Sequence, residues 1–252
     1  MNDQWTTISI DEVRRSVTLA LHEDLRLGPD VTTEATVAAD AVGTARVVTR
    51  QPGVIAGVPV ALEVLRQVSA RMQVDVTATV LRPDGSRVSP GDTVLEISGQ
   101  LRCLLTAERT LLNYLGQLSG VATATAQWVD AIAGTGAAVR DSRKTVPGLR
   151  ALQKYAVVCG GGQNHRMALG DAALIKDNHI AAAGSVAAAF RAVRAHAPGV
   201  PVEVECDTLA QVDEAIAVGA DLVLLDNFTL DDTLDAVHRC RAAGCGRSRA
   251  GA

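Results

Sequence analysis

The spacing of apolar residues changes character twice along the chain. Near the start, Val13, Val17, Leu19, Ala20 and Leu21 give an apolar helical face. A capping box from Ser9 to Glu12 precedes them, and Gly28-Pro29 supplies the stop. From Ala41 the period shortens. TARVVTR, GVIAG, QVDVTATVL and TVLEISG are short β-rich runs, separated by turn-formers such as Pro83-Asp84-Gly85 and Pro90-Gly91-Asp92. A helix fits between them over Val58 to Val68, so this region reads as α+β with antiparallel or mixed strands. Leu105 to about Ile132 then reads as an apolar helix, with Gly116 and Gly120 marking bends or close packing.

After that helix, short apolar runs alternate with helical ones. Strands are expected near 137–142, 172–177, 201–206 and 221–226, each followed by a helix: PGLRALQKYAVV, SVAAAFRAVRAH, TLAQVDEAIAVG and TLDDTLDAVHRC. Four βα units predict a parallel sheet, closed as a barrel or open and doubly wound. No GxGxxG follows the first strand, which weakens a dinucleotide-binding reading. All four strands end in charge: Asp141-Ser142-Arg143-Lys144, Lys176-Asp177, Glu205 and Asp226. A shared polar mouth at the carboxyl ends of barrel strands accounts for that recurrence.

Composition narrows the chemistry. With 48% apolar residues among 252, disorder is excluded, and no run approaches a membrane span. A net charge of −4 argues against a nucleic-acid partner. The polar, acidic N-terminus is unlike a signal sequence, which makes the cytoplasm the expected location. Five cysteines without metal spacing read as free thiols in a reducing compartment. Only Lys144, Lys154 and Lys176 are lysines among 24 basic residues. Lys144 and Lys176 fall in the expected mouth with Arg143, His165 and Arg166, a cationic set suited to carboxylates and phosphates. Lys154, in mid-helix, reads as an ordinary structural or surface residue. Glu205 and Asp226, expected on the opposite part of the rim from the cations, suit Mg²⁺ held partly through water and substrate phosphate. Gly160-Gly161-Gly162 reads either as backbone approaching an anion or as a helix C-cap leading into a loop. Arg109 shares a helix face with Asn113, and an ion pair with Glu108 or Asp130 is its plainer reading. PDGSRVSPGDTVLEISG resembles the hammerhead of biotinyl and lipoyl carriers. No Lys precedes Lys144, which excludes the carrier function.

The run DSRKTVPGLRALQKYAVVCGGGQNHRMALGDAALIKDNHI resembles the quinolinate phosphoribosyltransferase family. EDLRLGPDVTTEATV, TAERTLLNYLGQLSGVATAT, VEVECDTLAQV and DLVLLDNF resemble further family segments in the right order. The resemblance implies an N-terminal α/β sandwich over residues 1–118 and an incomplete C-terminal β/α barrel over 119–252. It also implies a homodimer with shared active sites. The implied reaction joins quinolinate to phosphoribosyl pyrophosphate with Mg²⁺, giving nicotinate mononucleotide, pyrophosphate and CO₂ in NAD biosynthesis. By the same resemblance, Arg143, His165, Arg166 and Lys176 bind the quinolinate carboxylates, and Arg109 reaches in from the other subunit. Lys144 faces phosphoribosyl pyrophosphate, while Glu205 and Asp226 hold ribose hydroxyls and Mg²⁺ and stabilise positive charge on the ribosyl ring; Lys144, Glu205 and Asp226 are the catalytic candidates.

Two departures stand out. The family's Glu-Ala/Ser-Ser-Gly-Gly and Gly-Ala-Leu-Thr-His-Ser-like phosphate motifs are absent, and Arg239 to Ala252 lacks a strand pattern. The expectation is a barrel truncated or altered after about residue 238, by truncation or a reading-frame change. The alternative function is a catalytically impaired relative keeping quinolinate binding or subunit association. A third reading is transfer to a related pyridine acid.

Overall fold

A computed structural model describes residues 8–244; residues 1–7 and 245–252, with Cys245 and most of the Arg-rich tail, lie outside the described residues. The described residues divide into two compact units, one ending at His165 and the other beginning at Arg166.

The first unit opens with α1 (Ile10–Leu25), which buries Val13, Val17, Leu21 and Leu25, one per helical turn. Leu19, expected on that face, is instead exposed. Ser9 sits at the N-cap without a side-chain cap bond, and the Glu12 side chain pairs with Arg15, so the expected capping box is not formed. A short α2 (Val31–Thr36), which no apolar period announces, is capped by Asp30 Oδ1 accepting from Thr33 N at 3.0 Å. Then follow β1 (Val42–Val48), β2 (Gly53–Val54), α3 (Val58–Met72), β3 (Val76–Val80), β4 (Arg87–Val88), β5 (Thr93–Gln100), α4 (Leu101–Ala131) and α5 (Arg150–Cys159).

Strands β1, β5 and β3 form an antiparallel sheet in that order, aligned at Ala45, Ile97 and Ala78. β2 and β4 pair separately. Of GVIAG only Gly53 and Val54 form a strand. Ile55 and Ala56 are buried, and Gly57, at φ 105°, turns the chain into α3. The core combines α1, Val60, Val64 and Val68 of α3, and Leu111 and Leu118 of α4. Each such side chain contributes about 1.5–3 kcal/mol on burial. Helix α4 runs unbroken through Gly116 and Gly120, and nothing lies within 4 Å of where a Cβ would stand at either. Neither the expected bend nor the close packing is found there.

Two turns carry more weight than their length. In Pro83-Asp84-Gly85, the Asp84 carboxylate accepts from Gly57 N at 3.1 Å, Val58 N at 2.9 Å and Tyr155 Oη at 2.7 Å. One side chain therefore caps α3 and tethers α5. Burial, then the bond to Asp84, pushes the Tyr155 phenol well above its ordinary pKa, so it stays a donor. After α5, Gly160 closes the helix, and a Cβ there would stand 2.3 Å from Ala122 O. A Cβ on Gly162 would stand 2.8 Å from Thr125 Cγ2. The glycine run thus seats the end of α5 on α4, as a helix C-cap.

The strand expected at 137–142 is not formed. Only a single parallel bridge joins Arg140 to Gln163, with Gln163 N donating to Val139 O at 2.8 Å and Asp141 N to Gln163 O at 3.1 Å. Its partner emerges from the glycine turn with a single residue in register, too short for a ladder.

The second unit contains β6 (Ala173–Ile175), α6 (Asp177–Ala183), α7 (Val186–His196), β7 (Val202–Cys206), α8 (Leu209–Ala217), β8 (Leu222–Leu225) and α9 (Leu230–Ala242). Its three strands are parallel, in the order β6-β7-β8. Among the described residues, the parallel sheet therefore has three strands rather than the four expected. Ser185, Thr208 and Thr229 cap α7, α8 and α9 through side-chain oxygens, and the latter two fix where β7 and β8 give way to their helices. Helix α6 starts immediately after Lys176 and cuts the expected strand 172–177 short. Val186, Ala189, Phe190, Val202, Val204, Cys206 and Val212 form this unit's core. Arg239, in the stretch expected to differ from the rest, lies within α9 and pairs with Asp213 at 2.6 Å and Asp235 at 2.7 Å. No described helix is long and apolar enough to cross a membrane.

Gly160 has an ordinary φ of −78°, so an alanine there is penalised only by its clash with the α4 backbone. Gly160→Ala is expected to lose about 1–3 kcal/mol in urea denaturation, the usual range for overpacking. A parent-like midpoint would show that α5 does not need this close approach.

Candidate active site

The residues singled out from sequence fall in both units, and each group has its own geometry. In the first unit, Arg109 lies exposed on α4 with no ion pair among the described residues. One partner of its plainer reading, Asp130, is taken by both guanidinium nitrogens of Arg87, at 2.7 and 2.9 Å. Arg143 is half-buried, and its Nε has no hydrogen-bond partner. A buried donor left this way costs about 1–3 kcal/mol, a cost that an acceptor from a ligand would remove. Lys144 is exposed, its backbone N–H donating to Ser142 Oγ at 3.1 Å. Cations left without protein partners are ready for an anionic ligand.

Beside them lies a buried network that sequence reading misjudged. Lys154 is only 1% exposed, neither at the surface nor an ordinary core residue. Its ammonium pairs with Asp141 Oδ1 and donates to His165 O at 3.0 Å. Asp141 Oδ1 also accepts from His165 N at 2.7 Å. The Asn164 amide, nitrogen inward, donates to Asp141 Oδ2 at 2.6 Å and Lys154 O at 3.0 Å. Asp141, Lys154 and Asn164 are thus additions to the sequence-derived set. The scarcity of lysine was the available signal for Lys154; its position in mid-helix obscured it.

In the second unit, strand register does the placing. Leu174 pairs with Glu203, and Glu205 with Leu224. Side chains alternate across a strand, so Glu203 and Glu205 share a face with Leu222 and Leu224. Lys176 and Asp226, one residue beyond their strands, continue that face at its carboxyl end. Val202, Val204 and Cys206 point the other way into the core. Lys176 Nζ meets Glu205 Oε2 at 2.7 Å, so this cation and this carboxylate are direct neighbours rather than on opposite parts of the rim. Asp226 is exposed, with Oδ2 accepting from Asn227 Nδ2 at 3.0 Å. Arg166 Nη1 donates to Ala172 O at 3.0 Å.

Among the described residues, no group of three or more His, Cys, Asp or Glu side chains could hold a metal by itself. Glu205 and Asp226, on one sheet face, suit an ion that keeps waters and takes its remaining ligands from a substrate phosphate. Two of the described thiols are poor nucleophiles. Burial pushes Cys159 up to about 11 and Cys206 up to about 12, leaving both protonated near neutrality.

Comparison with known proteins agrees across the chain. Residues 30–119 match the family model described as quinolinate phosphoribosyl transferase, N-terminal domain, and residues 121–246 match its C-terminal domain. The carboxylating nicotinate-nucleotide pyrophosphorylase of Mycobacterium leprae is 56% identical over 230 residues, covering 91% of this chain and 80% of that protein. A probable enzyme of the same name from Synechocystis is 43% identical over 202 residues, covering 80% and 67%. The solved nicotinate-nucleotide pyrophosphorylase of Francisella tularensis superimposes with a TM-score of 0.90 at 40% identity, covering 96% of this chain and 84% of that one. The two family models meet within α4, whereas the compact units part at His165.

Asp171 organises the segment after Arg166, accepting from Met167 N at 2.6 Å and Ala168 N at 3.0 Å. Desolvation, the largest influence, would raise its pKa; the backbone donors and Arg166 together outweigh it and hold the carboxyl below its ordinary 3.8. A depressed folded pKa gives stability that is present above the unfolded value and lost as pH falls through the folded one. Asp171→Ala is expected to cost about 1 kcal/mol at neutral pH, the low end for bonds to a charged acceptor in an exposed setting. The gap between parent and variant denaturation curves is expected to shrink as the pH falls below 3.8. An equal gap at neutral and at low pH would refute the assignment.

Proposed function

The chain belongs to the quinolinate phosphoribosyltransferase family, and from that premise we propose how its residues carry the family's reaction. The chain is a pentosyltransferase that joins quinolinate to phosphoribosyl pyrophosphate and releases nicotinate mononucleotide, pyrophosphate and CO₂. The observation that supports the assignment most is the register of β6, β7 and β8. It sets Lys176 against Glu205 and puts Asp226 on the same face, a cation beside two carboxylates at the carboxyl ends of parallel strands.

Arg143, His165, Arg166 and Lys176 bind the two carboxylates of quinolinate. The unpartnered Nε of Arg143 fits that role, since guanidinium donors match a carboxylate in plane. Lys144, exposed and compact, takes the phosphoribosyl pyrophosphate. The pyridine nitrogen attacks the anomeric carbon as the bond to pyrophosphate breaks, through a centre with oxocarbenium character. Glu205 and Asp226 lie against the ribose hydroxyls and offset that positive charge. The resulting cationic ring accepts the electron pair left when the adjacent carboxylate departs as CO₂, and a proton replaces it. No protein nucleophile is required; the work is positioning and charge placement.

Mg²⁺ is the proposed cofactor, held by Glu205 and Asp226 partly through water, and it supplies charge stabilisation to the leaving pyrophosphate. The proposed assembly is a homodimer or larger homo-oligomer in which Arg109 serves the partner's site; its exposure without an ion pair fits that use. The division at 118/119 is proposed as the functional domain boundary. Free thiols at Cys103, Cys159 and Cys206 fit a reducing compartment, and the cytoplasm is the proposed location.

With quinolinate, phosphoribosyl pyrophosphate and Mg²⁺, the chain is expected to release CO₂ and pyrophosphate in equal amounts, with no release when quinolinate is omitted. Quinolinate binding in calorimetry without either product would reject the catalytic reading in favour of the impaired relative.

A further inference from the structure

We propose that the buried pair Lys154–Asp141 is a positioning device for quinolinate, clamping the backbone of His165 from both sides. The proposal rests on the assignment of His165 to substrate binding. Its geometry is local to the first unit. Asp141 Oδ1 takes the His165 N–H at 2.7 Å, and Lys154 Nζ donates to the His165 carbonyl at 3.0 Å. Asp141 and Lys154 are themselves paired. The donor and the acceptor of one peptide residue are therefore fixed by the two ends of one ion pair. Asn164 extends the clamp through its bonds to Asp141 Oδ2 and Lys154 O. The bridge at Gln163 locks the preceding residue, and Gly160 and Gly162 seat the turn on α4.

Stability alone explains this arrangement poorly. With side chains 1% and 7% exposed, Lys154 and Asp141 have surrendered almost all their hydration, and apolar residues of similar volume commonly serve a core as well or better. The pair does what apolar residues cannot: it satisfies a buried backbone N–H and C=O at one residue and fixes their direction. The preceding turn's register and this clamp together help set where the imidazole begins. Asp141 also lies two residues before Arg143, so the same carboxylate ties both quinolinate-binding segments of this unit together. Lysine suits the position better than arginine, because a compact ammonium with three donors reaches a carboxylate and a carbonyl within one small space.

The test separates positioning from stability. Lys154→Met alone strands a buried carboxylate and is expected to lower the thermal midpoint. The double variant Lys154→Met with Asp141→Leu removes both charges, and its midpoint is expected to lie above the single variant's yet below the parent's, since the His165 peptide groups lose their partners. Its KM for quinolinate is expected to stay roughly 10- to 100-fold above the parent's, a scale typical of sub-ångström to ångström misplacement. The KM for phosphoribosyl pyrophosphate is expected to move less than about threefold, since positioning is confined to the other substrate. Recovery of the quinolinate KM along with the midpoint would overturn the proposal. If the double variant does not fold, amide hydrogen exchange on the parent decides. The His165 N–H is expected to exchange as slowly as those of α4, and exchange at exposed-loop rates overturns the clamp. This measurement needs no turnover, so an inactive parent would reject the functional assignment and leave the clamp to be judged by itself.

Discussion

Asp141 and Lys154 are withdrawn from water inside the first unit, and a buried charge is tolerated only when it is paired and every remaining lone pair and proton finds a partner. Much of the local structure meets that demand. Helix α5 brings the ammonium inward from a segment whose Leu152 and Ala156 are also buried. The glycine turn passes close enough to α4 to return the chain as Asn164-His165, whose amide and peptide groups complete the shell. Asp84, by holding Tyr155 and capping α3, fixes the far side of the same helix. Removing any one part leaves a charged or polar group unmatched in a dry setting.

The first unit also holds cations that are not neutralised. Arg109, Arg143 Nε and Lys144 have no hydrogen-bonded or ionic side-chain partner among the described residues, whereas Arg87, Arg46 and Arg66 elsewhere in the same unit are all paired. In the second unit Lys176 is balanced by Glu205, and the adjacent Asp226 is left exposed. Spare cations fit anionic substrates, while carboxylates at strand ends fit a reaction that develops positive charge on the ribose. The chemistry is thus assigned by where charge is left unpaired, in keeping with a site that supplies no nucleophile.

The alternation of apolar residues made most elements legible. The stripe of α1, the long α4 and the βα succession from residue 172 onward are strong periodic signals, and they appear with small shifts at their ends. Failures occurred where tertiary contacts overrode local pattern. Residues 137–142 look like a strand, but their partner offers one residue in register. Gly116 and Gly120 looked like packing sites, while Gly160 and Gly162 serve that purpose. The cationic set was readable because its members cluster in recognisable motifs. Lys154 was not, because nothing in a helical sequence tells which side chain meets a carboxylate thirteen residues earlier in the chain.

The proposed substrate set of Arg143, His165, Arg166 and Lys176 offers more donors than one carboxylate can use, which favours a ligand with two. Calorimetric titration of the chain with quinolinate and with nicotinate measures that directly. The account predicts that quinolinate binds at least about tenfold more tightly, equivalent to roughly 1.4 kcal/mol. Equal affinity for the two acids would contradict it.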